Sequence, residues 1–257
     1  MQTPRTSSGA MAIFGATSDI AVALGRRYAE AKWRIVLVGR DVASLAAIKA
    51  DLEVRGATDV TAQIADFVKL SSLPMVADAA FTRYRGLDVV VVAYGTLPDQ
   101  AACEGDAEVA ERALTTNFTS PVLLLNELAR RFAAQAAAGR VGTLAAISSV
   151  AGDRGRMSNH LYGAAKGGLQ RYLEGLRHRL HVSGIAVLDI RPGFVSTKMT
   201  AHLKPGGPLW ATPDRVAADI VRAIAARRAV LYTPWFWRGV MLAIRSVPRA
   251  VFHRTKL

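Results

Sequence analysis

The chain has 257 residues, 51% hydrophobic and 21% charged, with a formal net charge of +13 and a single cysteine, Cys103. That composition suits one large folded domain; it excludes an intrachain disulfide framework and a multi-cysteine metal site, and no metal is expected. No stretch reaches the ~18 uninterrupted apolar residues of a membrane span.

Residues 1–10, polar and without an apolar h-region, read as a short disordered leader. From residue 11 to 233, apolar runs of strand length alternate with helix-length segments. MAIFGA (11–16) predicts a first strand and is followed by a helix through Ala31. RIVLVG (34–39) predicts a second, with a helix over 42–54 after it. Strands over 59–66 and 87–95 flank a helix near 74–84, and a long helix over 106–136 leads to a strand over 142–149. A helix over 160–182 leads to a strand over 184–193. Thr212-Pro213-Asp214 marks a helix start, with an N-cap hydroxyl and proline at the first helical position. That helix ends near Arg228, before a last strand over 229–233. Strands alternating with helices require crossover connections, hence a parallel sheet covered on both faces. The run Val89-Val90-Val91-Val92 fits a strand buried on both sides. The expectation is one doubly wound, three-layer α/β/α domain over 11–233, followed by a basic aromatic tail over 234–257.

The loop between the first strand and first helix, Gly15-Ala16-Thr17-Ser18-Asp19-Ile20-Ala21, lies where a dinucleotide pyrophosphate sits at a helix N-terminus. Gly15 permits the tight turn, and Thr17, Ser18, Asp19 and Ile20 complete the candidate cradle. Asp19 adds negative charge there, or caps local backbone N–H groups. The second strand ends in Gly39-Arg40-Asp41. An acidic tip would bond the ribose hydroxyls and repel a 2′-phosphate; Arg40 offers a fork to phosphate and a stacking plane instead. NADP(H) is therefore favoured, with Asp41 keeping NAD(H) possible. Asp66, followed by Phe67, either accepts from the adenine amino group or caps a helix.

Tyr162-Gly163-Ala164-Ala165-Lys166 places a phenol and an ammonium four apart on one helical face. A free tyrosine titrates near pH ~10, and a neighbouring lysine cation would lower that value toward the working range. Ser149, thirteen positions upstream at a strand end, is placed to hydrogen-bond a substrate oxygen. Ile147-Ser148-Ser149-Val150-Ala151-Gly152, Tyr162-x3-Lys166 and Arg191-Pro192-Gly193-Phe194-Val195-Ser196-Thr197 stand in the order and spacing of short-chain dehydrogenases/reductases. The chain resembles that family from about residue 11 to 233. Asn117 matches the family asparagine before the serine strand. Tyr94-Gly95 replaces a family Asn-Asn-Ala-Gly run and keeps only the final glycine. The resemblance implies a Rossmann-type fold and an NAD(P)-dependent enzyme in which Ser149 polarises a carbonyl and Tyr162 delivers a proton to it. Lys166 would tune Tyr162 and hold the nicotinamide ribose, and Asn117 would support a relay water. Ala93, Gly95, Pro192, Gly193, Val195 and Thr197 would flank the cofactor, with Thr197 bonding its carboxamide. The spacing leaves Ser148 a structural residue. The resemblance further implies a homodimer or homotetramer built through the helices near 106–136 and 160–182.

Four stretches, 15–21, 93–97, 152–159 and 235–238, are similar to a divergent branch that includes bacterial reductases of decaprenylphosphoryl 2-keto-erythro-pentose, which implies a lipid-linked sugar ketone as substrate. Asp153, Arg154, Arg156, Ser158, Asn159 and His160 form a polar loop expected to overhang the site. Its arginines serve a sugar or phosphate ligand, or are solvated or salt-bridged; His160 reads as a helix-start residue. Residues 198–212 read as a mobile lid hinged at Gly206-Gly207, with Trp210 stacking on a sugar or anchoring the lid. In the tail, Trp235, Phe236 and Trp237 stand among arginines. This pattern fits peripheral contact of residues 235–257 with an anionic membrane, and equally a helix packed on the domain or on a second subunit. No nucleic-acid motif accompanies the charge. The expected location is cytoplasmic, at the inner membrane face if the tail binds lipid. The alternatives are a soluble carbonyl reductase of small or acyl substrates and a dinucleotide-binding regulatory or scaffold protein.

Overall fold

The computed structural model describes residues 8–203 and 206–255. In chain order its elements are β1 (Ala10–Phe14), α1 (Asp19–Glu30), β2 (Arg34–Gly39), α2 (Val42–Val54), β3 (Asp59–Ile64), α3 (Leu73–Thr82) and β4 (Val89–Val92). There follow α4 (Gln100–Gly105), α5 (Ala107–Leu114), α6 (Ser120–Ala137), β5 (Thr143–Ile147), α7 (His160–His181), β6 (Ala186–Pro192) and β7 (Phe194–Val195). The last are β8 (Trp210–Ala211), α8 (Pro213–Ala225), β9 (Val230–Thr233), α9 (Trp237–Ser246) and α10 (Arg249–Phe252).

The main sheet runs β3-β2-β1-β4-β5-β6-β9 with every pairing parallel. Because successive side chains of a strand point to opposite faces, each central strand feeds two cores. On β1, Ala10, Ala12 and Phe14 join Leu128 and Phe132 of α6 and Leu169 and Leu173 of α7. Met11 and Ile13 join Leu24 of α1, Leu45 of α2 and Ile220 of α8 on the other face. Each fully buried leucine or isoleucine in these layers contributes about 1.5–3 kcal/mol. The starts of α1, α2, α4, α5 and α8 are capped by short polar side chains, Ser18, Asp41, Asp99, Asp106 and Thr212. Asp41 accepts from Ser44 N at 2.8 Å, and Thr212 accepts from Arg215 N at 3.3 Å ahead of Pro213.

Several expectations change. β1 begins at Ala10, so the last residue of the supposed leader is strand; residues 1–7 lie outside the described residues. The single helix expected over 106–136 is α5, a five-residue π-helical turn over Thr115–Thr119, and α6. Pro121 causes the break: it has no N–H for the carbonyl four residues back, that of Asn117. The lid is not wholly irregular, since residues 198–203 form a 3-10 turn and β8 pairs with β7. Trp210 stacks on Phe194, ring centroids 5.1 Å apart, which anchors the segment; Lys204 and Pro205 lie outside the described residues.

Candidate active site

The strand ends and the loops after them enclose a cavity of about 610 Å³, within the range typical of small-molecule sites. Every candidate catalytic and cofactor-binding residue named from the sequence, from Gly15 to Thr197, contributes to its wall. Gly15 has φ +86°, and a Cβ there would stand 2.7 Å from the Tyr94 backbone nitrogen. Only glycine makes this turn. Ser18 caps α1, accepting from Ala21 N at 3.3 Å. Asp19 neither caps its own helix nor faces away: its carboxylate accepts from Lys198 N at 2.7 Å and ties the first turn to the lid. Arg40 is exposed at the cavity rim, while the Asp41 carboxylate is engaged at the start of α2. Asp66 accepts from Val68 N at 3.3 Å and also lines the cavity.

At the other end of the cavity, the segment after β5 meets α7. Glycines allow the contact: a Cβ on Gly152 would lie 2.6 Å from Gly167 N, and one on Gly163 3.0 Å from Ala151 O. The close approach sets Tyr162 and Lys166 beside Ser149. Ser149 Oγ accepts from Ala151 N at 3.1 Å, and Gln170 Nε2 donates to the Ser149 carbonyl at 2.8 Å. Lys166 is 3% exposed, donates to Ile147 O at 3.2 Å, and its Nζ lies 5.8 Å from the Tyr162 ring centroid. Burial pulls Lys166 down to about 8, against the attraction of Asp189.

Burial pushes the Tyr162 phenol above its ordinary value, and the Ser149 hydroxyl and the Arg156 cation act the other way. Arg156 thus joins Lys166, whose Nζ stands beside the ring, as a second cation at the phenol. Asn117 is buried in the π-helical turn. Its Nδ2 donates to Ala113 O at 3.0 Å and Thr96 Oγ1 at 3.1 Å, and its Oδ1 accepts from Thr96 N at 3.1 Å. Gly95 fits between them, since a Cβ there would stand 2.8 Å from Asn117 Oδ1 and 3.2 Å from Lys166 Nζ. Thr197 bonds Thr200, both through its N–H and between the hydroxyls, at 3.2 Å.

Ser148 is structural: its hydroxyl donates to Asp189 Oδ1 at 2.5 Å, and Arg191 holds Asp189 Oδ2 at 2.7 Å and Asp153 Oδ1 at 3.0 Å. Tyr232 completes the network, donating to Asp153 Oδ2 at 2.7 Å. The polar loop is therefore divided. Asp153 serves this network. Arg154 caps the last carbonyls of α9, donating to Ile244 O and to Val247 O, the latter at 2.8 Å, while stacking on Phe252. Ile244 O also accepts from the Val247 N–H at 3.3 Å, so the guanidinium adds to the backbone bond that closes the helix. His160 opens α7 beside Gln100 and Glu104 of α4, and Ser158 is exposed. Arg156 and Asn159 alone of the six line the catalytic cavity.

The model of the short chain dehydrogenase family matches residues 10–206. The chain belongs to that family. This short-chain dehydrogenase is 38% identical over 249 residues to an uncharacterized oxidoreductase of Mycobacterium tuberculosis, covering 97% of this chain and 98% of the other. Its fold is similar to an actinorhodin polyketide ketoreductase solved with NADPH, with TM-score 0.79, 21% identity, and 90% and 97% of the two chains covered. It is also similar to a Sphingobium yanoikuyae short-chain dehydrogenase in complex with NADPH, with TM-score 0.77, 22% identity, and 94% and 97% covered.

The residues of this dehydrogenase fit a nicotinamide dinucleotide: an α-helix N-terminus, a cationic rim residue and a glycine-lined floor share one cavity of suitable size. Trp237 is a wall residue the sequence reading assigned elsewhere. It is 4% exposed and packs so closely on Gly193 that a Cβ there would overlap the indole ring. The tail helix α9 is part of the site, held by Trp237, Met241 and Arg154. Among the described residues no helix is long and apolar enough to cross a membrane.

Proposed function

We propose that the protein is an NADPH-preferring ketone reductase in which Tyr162 donates the proton. The observation that carries the reading is the convergence of Ser149, Tyr162, Lys166 and Asn117 on the same cavity as Arg40 and the α1 start. A nicotinamide held beside Pro192, Gly193, Val195 and Thr197 would supply hydride for the carbonyl carbon. Ser149 Oγ orients the carbonyl oxygen, and Tyr162 Oη gives up its proton there as negative charge develops. Lys166 and Arg156 stabilise the resulting phenolate, and Asn117 fixes the Gly95–Thr96 backbone beside it. The reverse sequence oxidises an alcohol.

The preference for NADPH rests on Arg40, exposed at the rim with its acidic neighbour occupied as a helix cap. Arg40→Ala is expected to lower kcat/KM for NADPH roughly 10–100-fold, the range of a lost charge-assisted bond, and for NADH about threefold or less. Equal losses for the two cofactors, followed through nicotinamide absorbance with a panel of ketones, would remove this assignment.

A finer reading takes a lipid-linked keto sugar as substrate at a membrane face. It is favoured by the apolar wall residues Leu97, Met199 and Leu203 beyond the catalytic end, and by exposed Trp235, Leu242 and Val251 on the basic tail. Truncating the tail would remove Trp237 from the site, so surface changes test it better. Trp235→Ser with Leu242→Ser and Val251→Ser should release the protein from anionic vesicles in flotation while unfolding at the same urea midpoint; unchanged flotation sinks the reading. Assembly as a dimer or tetramer through α6 and α7 belongs to the same proposal.

A further inference from the structure

Buried polar atoms without partners are costly and rare in folded proteins. Three of those found among the described residues, Arg156 Nε, Asn159 Oδ1 and Trp237 Nε1, belong to residues that wall the catalytic cavity. Of these, Arg156 is the charged one, and it stands close enough to Tyr162 to act on the phenol.

Charge sharpens this. The acidic residues of the cavity wall, Asp19, Asp41 and Asp66, all follow β1, β2 and β3; from Ala93 onward the described wall carries Arg156, Lys166 and Lys198 and no carboxylate. Arg156 also lines a second, adjoining cavity of about 480 Å³, together with Arg154, His160, Arg249 and His253. Arg154 and His160 have protein partners, whereas Arg156, Arg249 and His253 form no ion pair among the described residues. Burial pulls Arg156 below its ordinary value, a cost that an anion beside it would offset.

We infer that this junction is a phosphate subsite: the substrate is a phosphate ester whose ketone reaches Tyr162 while its phosphate lies on Arg156, facing Arg249 and His253. The inference rests on the ketone-reductase reading for what happens at Tyr162, but the subsite stands on its own geometry. Phosphate suits the site because a planar guanidinium forks two of its oxygens and the flanking cations meet the remaining charge. A soluble phosphorylated ketone and a lipid-linked one share that chemistry.

The test compares dihydroxyacetone phosphate with dihydroxyacetone as NADPH-dependent substrates, and measures glycerol 3-phosphate and farnesyl phosphate binding to the NADPH complex by calorimetry. The wild type should prefer the phosphorylated ketone in kcat/KM by roughly tenfold or more, the range of one charge-assisted contact. Arg156→Ala should bring the ratio close to unity and weaken phosphate binding by a similar factor. Arg156→Lys should retain part of both, and Arg249→Ala with His253→Ala should reduce both. A wild-type ratio near unity, or a ratio and phosphate affinity untouched in Arg156→Ala, overturns the subsite. Arg156-dependent phosphate binding without turnover of any ketone supports the subsite and refutes the reductase reading; turnover without phosphate preference does the reverse. Tighter binding of farnesyl phosphate than of glycerol 3-phosphate identifies the lipid source, and the opposite order a soluble one.

Discussion

Tyr162→Phe is expected to lower kcat for ketone reduction by about 10²–10⁴-fold, the contribution of a positioned general acid, with NADPH affinity changed by less than a factor of about three. The substitution deletes one hydroxyl and leaves the ring beside Lys166. Burial keeps the phenol above its ordinary value, so in the neutral range it carries the proton that reduction consumes. The same shift gives a sign to the pH dependence: ketone reduction falls as pH climbs toward the phenol's titration, while alcohol oxidation, which needs the phenolate, rises. Turnover by NADPH absorbance and affinity by fluorescence titration check both halves. A Tyr162→Phe enzyme with wild-type kcat would take Tyr162 out of the chemistry.

Lys166→Met should separate stability from activity. Lys166 is buried and titrates at about 8, against 10.5 for the ordinary side chain. Below pH 8 both folded and unfolded chains carry the proton, and the folded state bears the full desolvation cost. Between pH 8 and 10.5 only the unfolded chain holds the proton, so wild-type stability rises with pH across that window. The shift corresponds to a cost on the order of 3 kcal/mol at neutral pH. Methionine removes that cost and fills similar volume. It gives up the bond to Ile147 O, worth about 1 kcal/mol. Nucleotide-free Lys166→Met is therefore expected to be more stable than wild type by about 1–2 kcal/mol at pH 7 in urea unfolding. The gain should vanish toward pH 10.5, and turnover should fall at least about 10²-fold at every pH. A less stable Lys166→Met protein at pH 7 contradicts the assigned desolvation cost.

Much of the fold is legible in the sequence. The alternation of strand-length and helix-length segments implied the parallel sheet, and α2 runs over the predicted 42–54 because Asp41 supplies its cap and Arg55 follows its end. Candidate residues spread from Gly15 to Thr197 reach one cavity because most follow the C-terminal end of a parallel strand, where such sheets open their crevice. Asn117, Tyr162 and Lys166 reach it from helical segments. What escaped depends on contacts that carry no period in sequence. The π-helical turn at Asn117 had a visible signal in Pro121, which a helix tolerates only near its start. Trp237 had none: its aromatic and basic neighbours fit a membrane interface as well as a packed helix, and its partner is the missing side chain of Gly193. Arg154 and Arg156 stand two apart in an irregular loop, and nothing local decides that one caps α9 while the other faces Tyr162.

Hydride transfer with proton delivery from Tyr162 is the central claim, and isotope transfer reaches it most directly. The purified protein is mixed with NADPH deuterated at nicotinamide C4 and a panel of ketones that includes dihydroxyacetone phosphate, and the products are read by mass spectrometry. The expected product is an alcohol with deuterium on the former carbonyl carbon, formed by wild type and lost with Tyr162→Phe. NADPH binding with no deuterium reaching any carbonyl carbon, or equal transfer by Tyr162→Phe, would contradict it.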